Sequence, residues 1–436
     1  MNALAKELND TLMGTVAYDL LSDYGRRMYF PKGIIAQSAE AKQKAHRYNA
    51  TIGIATANGS AMHMPSVKAL FDSNLVPDDV FPYAPTAGEM PLRHAWLQDM
   101  FVKNPSMKGK SVSLPVVTSG LTHSISIAAS LFLEKDQTII VPDLYWGNYN
   151  LIFNEQREAK IAKFALFSGQ SLNLEGLEQT IDSIEQDRVA MILNFPNNPT
   201  GYTPTETEAK ALVTMLKKKA DSGKKLLVFT DDAYFGLFFE PNVCKESLFA
   251  LLCDAHENIF AIKGDAATKE EMVWGFRIGF LTYGAKGMQQ SHYEALIKKT
   301  MGAIRGSVSS CSKPAQSILY KAITSSSFDT EKQAGVEIIA QRYRKMKAAL
   351  QRFEHHAVLK PLPFNSGYFM AFACTVDAEK LRQYLLDTYQ VGTISVQNTY
   401  LRLAFSSIDL HQIDDLITIV YQAAEELSKA EEKKQN

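Results

Sequence analysis

A lysine that could react with a carbonyl group lies between a strand-like segment and a glycine-containing one. Lys269 follows the apolar run that begins at Ile259, and it precedes Gly275, Arg277 and Gly279. A lysine in this setting can form a Schiff base with a carbonyl cofactor. Taken alone, Lys269 is more simply interpreted as a surface lysine, so the assignment depends on its neighbours.

A carboxylate and a phenol follow another strand-like run. Asp231 ends the segment LLVFTD, and Tyr234 comes three residues later. A carboxylate at this point can keep the ring nitrogen of a cofactor protonated, because the opposite charge favours the ionised form. The tyrosine hydroxyl can donate to a ring oxygen. A helix N-cap aspartate beside a packed tyrosine explains the pair equally well.

Two turns complete the set of candidate groups. Asn198 opens the turn Asn-Pro-Thr-Gly after the run MILNFP, and the proline and glycine would present its amide rigidly. A second, glycine-containing turn feeds an apolar helix pattern and could offer free backbone N–H groups to a phosphate. Each turn alone is more often only structural. The second turn comprises Ser119, Gly120, Leu121 and Thr122.

Alternating apolar runs and helical patterns must position these groups. The segment 205–220 repeats apolar residues on one helical face and opens with a capping box. Strands that alternate with helices predict a mostly parallel sheet covered on both faces, with ligands at the carboxyl ends of its strands. The candidate residues follow such ends. The predicted strands begin near Thr138, Met191, Leu226, Ile259 and Arg277.

The two ends of the chain differ from the middle and contain helix patterns with short strands such as YFMAFAC and YLRLAF. We expect a large cofactor-binding domain over residues 71–320. Residues 1–70 would form an N-terminal arm and part of a smaller domain, which residues 321–436 would complete. This division depends in part on the family resemblance described below.

Composition excludes several classes of protein. The 436 residues include 46 Lys and Arg and 47 Asp and Glu, which gives a net charge of −1. This balance argues against binding to nucleic acid or to acidic lipid. Four scattered cysteines without a CxxC pair exclude a disulfide framework and a cysteine zinc site, and we expect no metal. Without a signal peptide or an apolar span, the sequence predicts a cytoplasmic protein.

In their order along the chain, these motifs resemble the fold type I pyridoxal-phosphate aminotransferases, and in particular the aspartate aminotransferase group of class I and II. The resemblance extends over nearly the full length. It implies an α/β fold in which helices enclose a mostly parallel, seven-stranded sheet, with a smaller α+β domain built from both chain ends. It also implies pyridoxal 5'-phosphate as cofactor, amino acid and 2-oxo acid substrates, and a homodimer with shared active sites.

By this resemblance, Lys269 attaches the cofactor and later removes the substrate's α-proton. Arg277, eight residues further on, would bind the cofactor phosphate. Asp231 would pair with the ring nitrogen, while Tyr234 and Asn198 would donate to the phenolic oxygen of the cofactor.

The resemblance assigns four further residues. Trp146, in YWGNYNLIF, would stack on the cofactor ring, and Tyr83, in YAPTAGEMPLR, would reach the phosphate in the neighbouring subunit. Arg402, in YLRLAF, would bind the substrate's α-carboxylate, and Gly53 would lie beside the substrate.

Arg305 bears on the choice of substrate. The segment IRGSVSSCSKP resembles the family's stretch whose arginine crosses the dimer to bind the distal carboxylate of a dicarboxylic substrate. An acidic amino acid such as aspartate or glutamate would then be the donor. A structural arginine at the subunit interface is the alternative interpretation.

The sequence also departs from the family. Ala266 stands where a serine usually contacts the phosphate, and Thr122 or Thr268 would have to compensate. Tyr149 replaces the histidine of the Trp-Gly-Asn-His stretch. Lys263 is a rival attachment point, although it lies fourteen residues before Arg277 instead of eight.

Three other functions share parts of this pattern. A carbon–sulfur β-lyase would use the same residues and diverge only after the α-proton is removed. A ligand-sensing regulator would need a DNA-binding extension, for which the first seventy residues are too few and too neutral. A nucleotide-binding protein is disfavoured, because no GxGxxG or GxxxxGK[ST] motif follows a strand.

Overall fold

The computed structural model describes residues 1–29, 33–71 and 75–435. Its main feature is a seven-stranded sheet with the strand order β1-β7-β6-β5-β4-β2-β3. Only β7 runs antiparallel to its neighbours within this sheet. The strands are β1 (Val116–Thr118), β2 (Thr138–Pro142), β3 (Lys160–Phe164), β4 (Arg188–Asn194), β5 (Lys225–Asp231), β6 (Ile259–Ala266) and β7 (Gly279–Gly284).

The predicted mostly parallel sheet is confirmed, and its strands form for the expected reason. In β4 and β5 nearly every residue after the first is buried, as the continuous apolar runs indicate for strands covered on both faces. The sequence pattern did not indicate β1 or β3. β1 has only three residues, and β3 is an edge strand whose two lysines face outward from exposed positions.

Helices cover both faces of the sheet and build the two ends of the chain. They are α1 (Ala3–Leu12), α2 (Val16–Leu20), α3 (Asp23–Arg27), α4 (Ile34–Lys44), α5 (Pro65–Ala69), α6 (Pro77–Val80), α7 (Met90–Lys103), α8 (Leu121–Phe132), α9 (Leu174–Asp182), α10 (Glu206–Asp221), α11 (Leu248–Leu252), α12 (Ala267–Glu270), α13 (Gln290–Arg305), α14 (Lys313–Ile323), α15 (Phe328–Gln351), α16 (Ala378–Tyr389) and α17 (Ile413–Gln435). A π-helical turn spans Asn150–Glu155.

The capping box predicted for the helix after residue 205 is present. The hydroxyl of Thr205 accepts the N–H of Glu208, and the Glu208 carboxylate accepts the N–H of Thr205. These two bonds satisfy N–H groups that a helix N-terminus otherwise leaves unpaired. The start of α10 is therefore fixed by residues that the sequence analysis identified.

A second, antiparallel sheet lies in the C-terminal part, in the order β8-β9-β11-β10. Its strands are β8 (Leu359–Pro361), β9 (Phe369–Cys374), β10 (Ile394–Val396) and β11 (Tyr400–Ala404). Near the N-terminus, Tyr48–Asn49 pairs in parallel with Val391–Gly392, so both chain ends contribute to this region. The boundaries at residues 70 and 320 stay predictions. Within the described residues, no helix combines the length and apolar character that crossing a membrane requires.

Candidate active site

A cavity of about 200 Å³ lies at the carboxyl ends of the parallel strands, where sheets of this kind bind ligands. Many of the residues predicted from the sequence line it, although they come from distant parts of the chain. These are Gly53, Leu121, Thr122, Trp146, Asn198, Asp231, Tyr234, Lys269 and Arg402.

Lys269 lies in the wall of this cavity without a carboxylate within hydrogen-bond distance among the described residues. Its Nζ is 4.7 Å from the centre of the Tyr234 ring. Burial lowers the pKa of Lys269, Asp231 opposes this change and Arg277 adds to it, and the net pKa is about 8. At pH 7 roughly one molecule in ten then carries the neutral amine that a nucleophile or general base requires, far more than for an ordinary lysine.

The rival lysine has the opposite surroundings. Lys263 is 1% exposed, and its Nζ binds Asp232 Oδ2 at 2.6 Å and Asp265 Oδ2 at 2.8 Å. Burial alone would lower the pKa of Lys263, but the two carboxylates outweigh burial and raise it. Lys263 is therefore held as a charged ammonium and does not line the cavity, which favours Lys269 as the reactive lysine.

Asp231 reaches the cavity because it ends β5. It is in register with Asn194 of β4, and the Asn194 side chain donates to its backbone carbonyl at 2.9 Å. The Asp231 carboxylate accepts the N–H of Ala233 at 3.1 Å and the hydroxyl of Tyr149 at 2.5 Å. Burial raises the pKa of Asp231, while the Tyr149 hydroxyl and Lys269 counteract it.

Tyr149, which replaces the family's histidine, is thus a direct partner of Asp231. It is fully buried, and burial together with the Asp231 charge raises the pKa of its hydroxyl well above the ordinary value of 10. Tyr149 therefore donates as a neutral group. The ring of Trp146 meets Tyr149 edge-on, with centres 5.8 Å apart, and so reaches the cavity wall from the same turn.

Arg402 enters the cavity from β11 of the second sheet. Its Nη1 donates to Asn198 Oδ1 and its Nη2 to the carbonyl of Thr51, both at 3.0 Å. The guanidinium lies 4.2 Å from the centre of the Phe369 ring. Its Nε is buried and has no hydrogen-bond partner among the described residues. Nη1 and Nη2 each carry a second N–H, so this buried arginine in the cavity wall still has donors with which to bind a carboxylate.

The turn before α8 offers fewer free N–H groups than the sequence suggests. The N–H of Ser119 donates to His123 Nδ1 at 3.1 Å, and that of Gly120 donates to the carbonyl of Thr118 at 2.8 Å. No side chain caps the first turn of α8. The N–H groups of Leu121 and Thr122, which line the cavity, are thus the ones positioned for an anion.

Arg277 closes this turn from the other side. Gly120 has a φ of +80°, and a Cβ at this position would lie 2.5 Å from Arg277 Nη2. Arg277 itself has a left-handed backbone with a φ of +55°. Glycine at 120 therefore lets the guanidinium approach the helix N-terminus directly, and together they form a cationic cradle.

The structure separates the two threonines considered as replacements for the serine absent at Ala266. Thr122 lines the cavity, whereas Thr268 is buried and is not among the lining residues. The Ser119 hydroxyl points to Cys311, with Oγ 3.6 Å from Sγ. Thr122 is therefore the better placed hydroxyl.

Tyr83 and Arg305 do not line the cavity of their own chain. Tyr83 is 94% exposed. Arg305, at the end of α13, is exposed and donates from Nη1 to Ser309 Oγ at 2.6 Å. Their predicted roles require a second subunit and stay predictions.

Four cavity residues were not identified from the sequence. Asn194 ends β4, and Ala233 lies between the predicted residues Asp231 and Tyr234, so the strand ends could have indicated both. Ile34 belongs to α4 and Phe369 to β9. No local signal indicates these two, because only tertiary packing brings them to the sheet. They are Ile34, Asn194, Ala233 and Phe369.

Comparison with known proteins agrees with the fold. The family model described as aminotransferase class I and II matches residues 54–420, so the chain belongs to this family. The resemblance to fold type I aminotransferases is thereby confirmed. A probable N-acetyl-LL-diaminopimelate aminotransferase of Bacillus subtilis is 25% identical over 207 residues, which are 47% of this chain and 48% of that protein. The chain thus spans about half the length of this curated relative.

Solved structures match over almost their whole length. An aminotransferase from Anaerococcus prevotii is 22% identical, with a TM-score of 0.82, and the match covers 91% of this chain and 98% of that one. A kynurenine aminotransferase from Pyrococcus horikoshii, solved with PMP, is 17% identical, with a TM-score of 0.78, and the match covers 95% and 99%. At these identities the structural matches establish the shared fold.

Proposed function

We propose that the protein is a pyridoxal 5'-phosphate-dependent aminotransferase, which moves an amino group between an amino acid and a 2-oxo acid. One observation carries the proposal. A lysine with a lowered pKa, a buried aspartate and a buried arginine line one cavity. Nucleophile, ring partner and carboxylate receptor are the groups that this chemistry requires.

The residues present fit the cofactor. The phosphate would bind the N–H groups of Leu121 and Thr122 and the guanidinium of Arg277, which the missing side chain at Gly120 allows to come close. Asp231, held by neutral donors, would face the ring nitrogen. A neutral ligand would bind less well at either end of the cavity, because one end offers the positive charge of Arg277 and the other the carboxylate of Asp231.

The bound cofactor supplies an electron sink that stabilises the charge left on the substrate's α-carbon. Lys269 would hold the cofactor covalently, and its amine, once free, would take up the substrate's α-proton and return a proton to the former aldehyde carbon. Asp231 would hold the proton on the ring nitrogen. The hydroxyl of Tyr234 and the amide Nδ2 of Asn198 would donate to the phenolic oxygen. Asn198 can do so because its Oδ1 already accepts from Arg402.

A half-reaction screen tests this function. Single amino acids are added to cofactor-loaded protein, and the absorbance of the bound cofactor should convert to that of pyridoxamine phosphate. Lys269→Ala should fold but lose this conversion by about 10³-fold or more, because it lacks the general base. Release of pyruvate and ammonia from a cysteine-type substrate, without a keto-acid acceptor, would instead support the β-lyase alternative.

We further propose that Arg305 binds an acidic substrate side chain in the cavity of a partner subunit. Arg305 is exposed, and its hydrogen bond to Ser309 orients the guanidinium. Both observations support a role in binding a group outside its own chain. Arg305→Lys should weaken turnover of aspartate or glutamate by about 10- to 100-fold relative to neutral donors, because lysine cannot form two parallel bonds. Equal effects on all donors would make Arg305 structural.

The shared site implies a homodimer. Large apolar side chains are exposed in the sequence segment that contains Tyr83, including Phe71 at 63%, Phe81 at 83% and Met90 at 52%, and a partner subunit that covers this segment would bury them. Mixed Tyr83→Phe and Lys269→Ala subunits should recover activity, because one site of the heterodimer carries neither change. An active monomer in sedimentation would contradict this. The cytoplasmic location stays a prediction.

A further inference from the structure

Lys269 lies in a helical turn too short to hold its own geometry. α12 has four residues, and one helical turn forms too few hydrogen bonds to offset the cost of nucleation. The chain then passes through Met272, whose φ of +53° is unusual for a residue other than glycine. The position of Lys269 must therefore depend on contacts from neighbouring elements.

The two residues after Lys269 are glutamates buried between two lysines. The side chains of Glu270 and Glu271 are 3% and 1% exposed. Lys332 of α15 binds Glu270 at 2.8 Å and Glu271 at 3.0 Å, and Lys103 at the end of α7 contacts both. Burial would raise the pKa of Glu270, but Lys103 and Lys332 outweigh burial and lower it to about 2. Glu270 is thus ionised and anchored.

Lys103 also contacts Asp99, so that the three carboxylates of Asp99, Glu270 and Glu271 meet around its ammonium group. Their oxygen atoms lie within 4.8 Å of one another. Because Lys103 and Lys332 already form ion pairs with these carboxylates, the group is an ion-pair network and carries no metal proposal.

A second, apolar contact joins the same turn to α15. Gly335 lies one helical turn after Lys332, on the same face. A Cβ at Gly335 would collide with the end of the Met272 side chain, only 2.7 Å from its Sδ. The absence of a side chain at Gly335 makes a notch that receives Met272. The notch and the ion pairs are independent contacts between α15 and residues 270–272.

We propose that Lys332 is a positioning residue for Lys269, and that α15 clamps the turn which carries the reactive amine. The ion pairs fix Glu270 and Glu271, and the notch fixes Met272, so that Nζ of Lys269 stays beside the Tyr234 ring. Asp231, Arg277 and Tyr234 face the amine of Lys269, and the hydroxyl of Tyr368 donates to its carbonyl at 3.4 Å. The inference rests on the proposed function, in which Lys269 is the reactive lysine.

The test compares Lys332→Met with Lys345→Met in the full-length protein purified without cofactor. Lys345 is on the same helix and also forms an ion pair, with Asp414, but it does not contact the turn. Two quantities are measured by peptide mass spectrometry. One is the hydrogen exchange of the amides of residues 270–272, and the other is the pKa of Lys269 from competitive labelling with acetic anhydride.

Lys332→Met should speed this exchange by about tenfold, because the turn opens locally without its anchor. It should also raise the pKa of Lys269 from about 8 towards the ordinary value of 10.5, because water reaches the ammonium group. Lys345→Met should change neither quantity. If both variants behave alike, or if Lys332→Met only lowers the melting temperature, Lys332 is structural and the inference is wrong.

A glycine pair keeps the test decisive if Lys332→Met does not fold. Gly335→Ala should displace Met272 and speed exchange at 270–272, whereas Gly302→Ala in α13, where a Cβ meets nothing within 4 Å, should not. Equal exchange in the two alanine variants would overturn the clamp. None of these measurements uses the cofactor. The proposed function is tested separately. If the variants behave as expected but the wild-type protein does not attach pyridoxal phosphate at Lys269, the clamp stands and the proposed function is wrong.

Discussion

Lys263 and Lys269 lie six residues apart, and their surroundings shift the pKa values of the two amines in opposite directions. Lys263, within β6, is surrounded by two carboxylates and is held as an ammonium ion. Lys269, just after β6, faces a cavity, has a pKa of about 8 and has an aromatic ring as its near neighbour. One site stabilises charge in the core, and the other keeps an amine reactive.

The adjacent aspartates follow the same division. Side chains alternate along a strand and its extension, so Asp231 and Asp232 point to different sides. Asp232 accepts from Lys263 at 2.6 Å and from Ser247 at 2.5 Å. Asp231 accepts from the neutral groups of Tyr149 and Ala233. The comparison shows how one strand end can serve both the core and a site in which charge is left available.

The largest expected effect comes from removing the core ammonium. Lys263→Met should lower the free energy of unfolding by about 3–5 kcal/mol, because it leaves two carboxylates buried without a counter-ion. Denaturant unfolding measures this change. Lys380→Met, which breaks an exposed pair with Glu431, should cost far less, because water screens this pair. If Lys263→Met costs no more than this control, Lys263 does not have the stabilising role assigned here.

The Lys263→Met loss should shrink at lower pH. Burial already raises the pKa of Asp232 to about 6, and removal of Lys263 would raise it further. A carboxylate whose pKa is higher in the folded protein than in the unfolded chain binds its proton more tightly when folded. Stability is therefore regained as pH falls through that folded pKa. A loss that is constant between pH 7 and pH 4.5 would contradict this account.

Removing the cavity ammonium should have the opposite sign. In the cofactor-free protein Lys269→Met should increase the free energy of unfolding at pH 7 by on the order of 2 kcal/mol. The fall in pKa from 10.5 to about 8 corresponds to about 3 kcal/mol, which water in the cavity reduces. The gain should be full below pH 8 and fade as pH rises towards 10.5, because Lys269 is then neutral in both states. A destabilised Lys269→Met protein would contradict the comparison.

A smaller effect should come from the neutral donor of Asp231. Tyr149→Phe should cost on the order of 1 kcal/mol of stability, since Asp231 retains the N–H of Ala233 and faces the cavity. The matched control is Tyr145→Phe, whose hydroxyl donates to Asn150 and does not touch Asp231. Thermal unfolding of both variants measures the difference. Equal losses would mean that the Tyr149 hydroxyl contributes nothing particular to Asp231.

The sequence predicted the elements whose local pattern is strong. Continuous apolar runs indicated β2, β4, β5, β6 and β7, and the capping box indicated the start of α10. Strand direction could not be read in this way, since an apolar run has the same pattern in both directions. The antiparallel β7 became evident only from its pairing with β6.

The candidate site was predictable where a residue's position along a strand fixes its place at the sheet edge, as for Asp231 and Asn198. It was less predictable where hydrogen bonds within the protein decide which donor groups remain free to bind a ligand. Ser119 and Gly120 lie in the expected turn, yet their N–H groups are already paired. Likewise, the two lysines differ through the carboxylates near Lys263. Asp265 lies two residues on, on the same face of β6, but Asp232 follows β5 and only strand pairing brings it to Lys263.

The most direct test of the account is to find which lysine attaches the cofactor. Wild-type protein is loaded with pyridoxal 5'-phosphate, reduced with borohydride to fix the covalent link, digested and mapped by mass spectrometry. The account predicts the modification on Lys269 and an unmodified Lys263. A modification on Lys263, or on neither lysine, would contradict it.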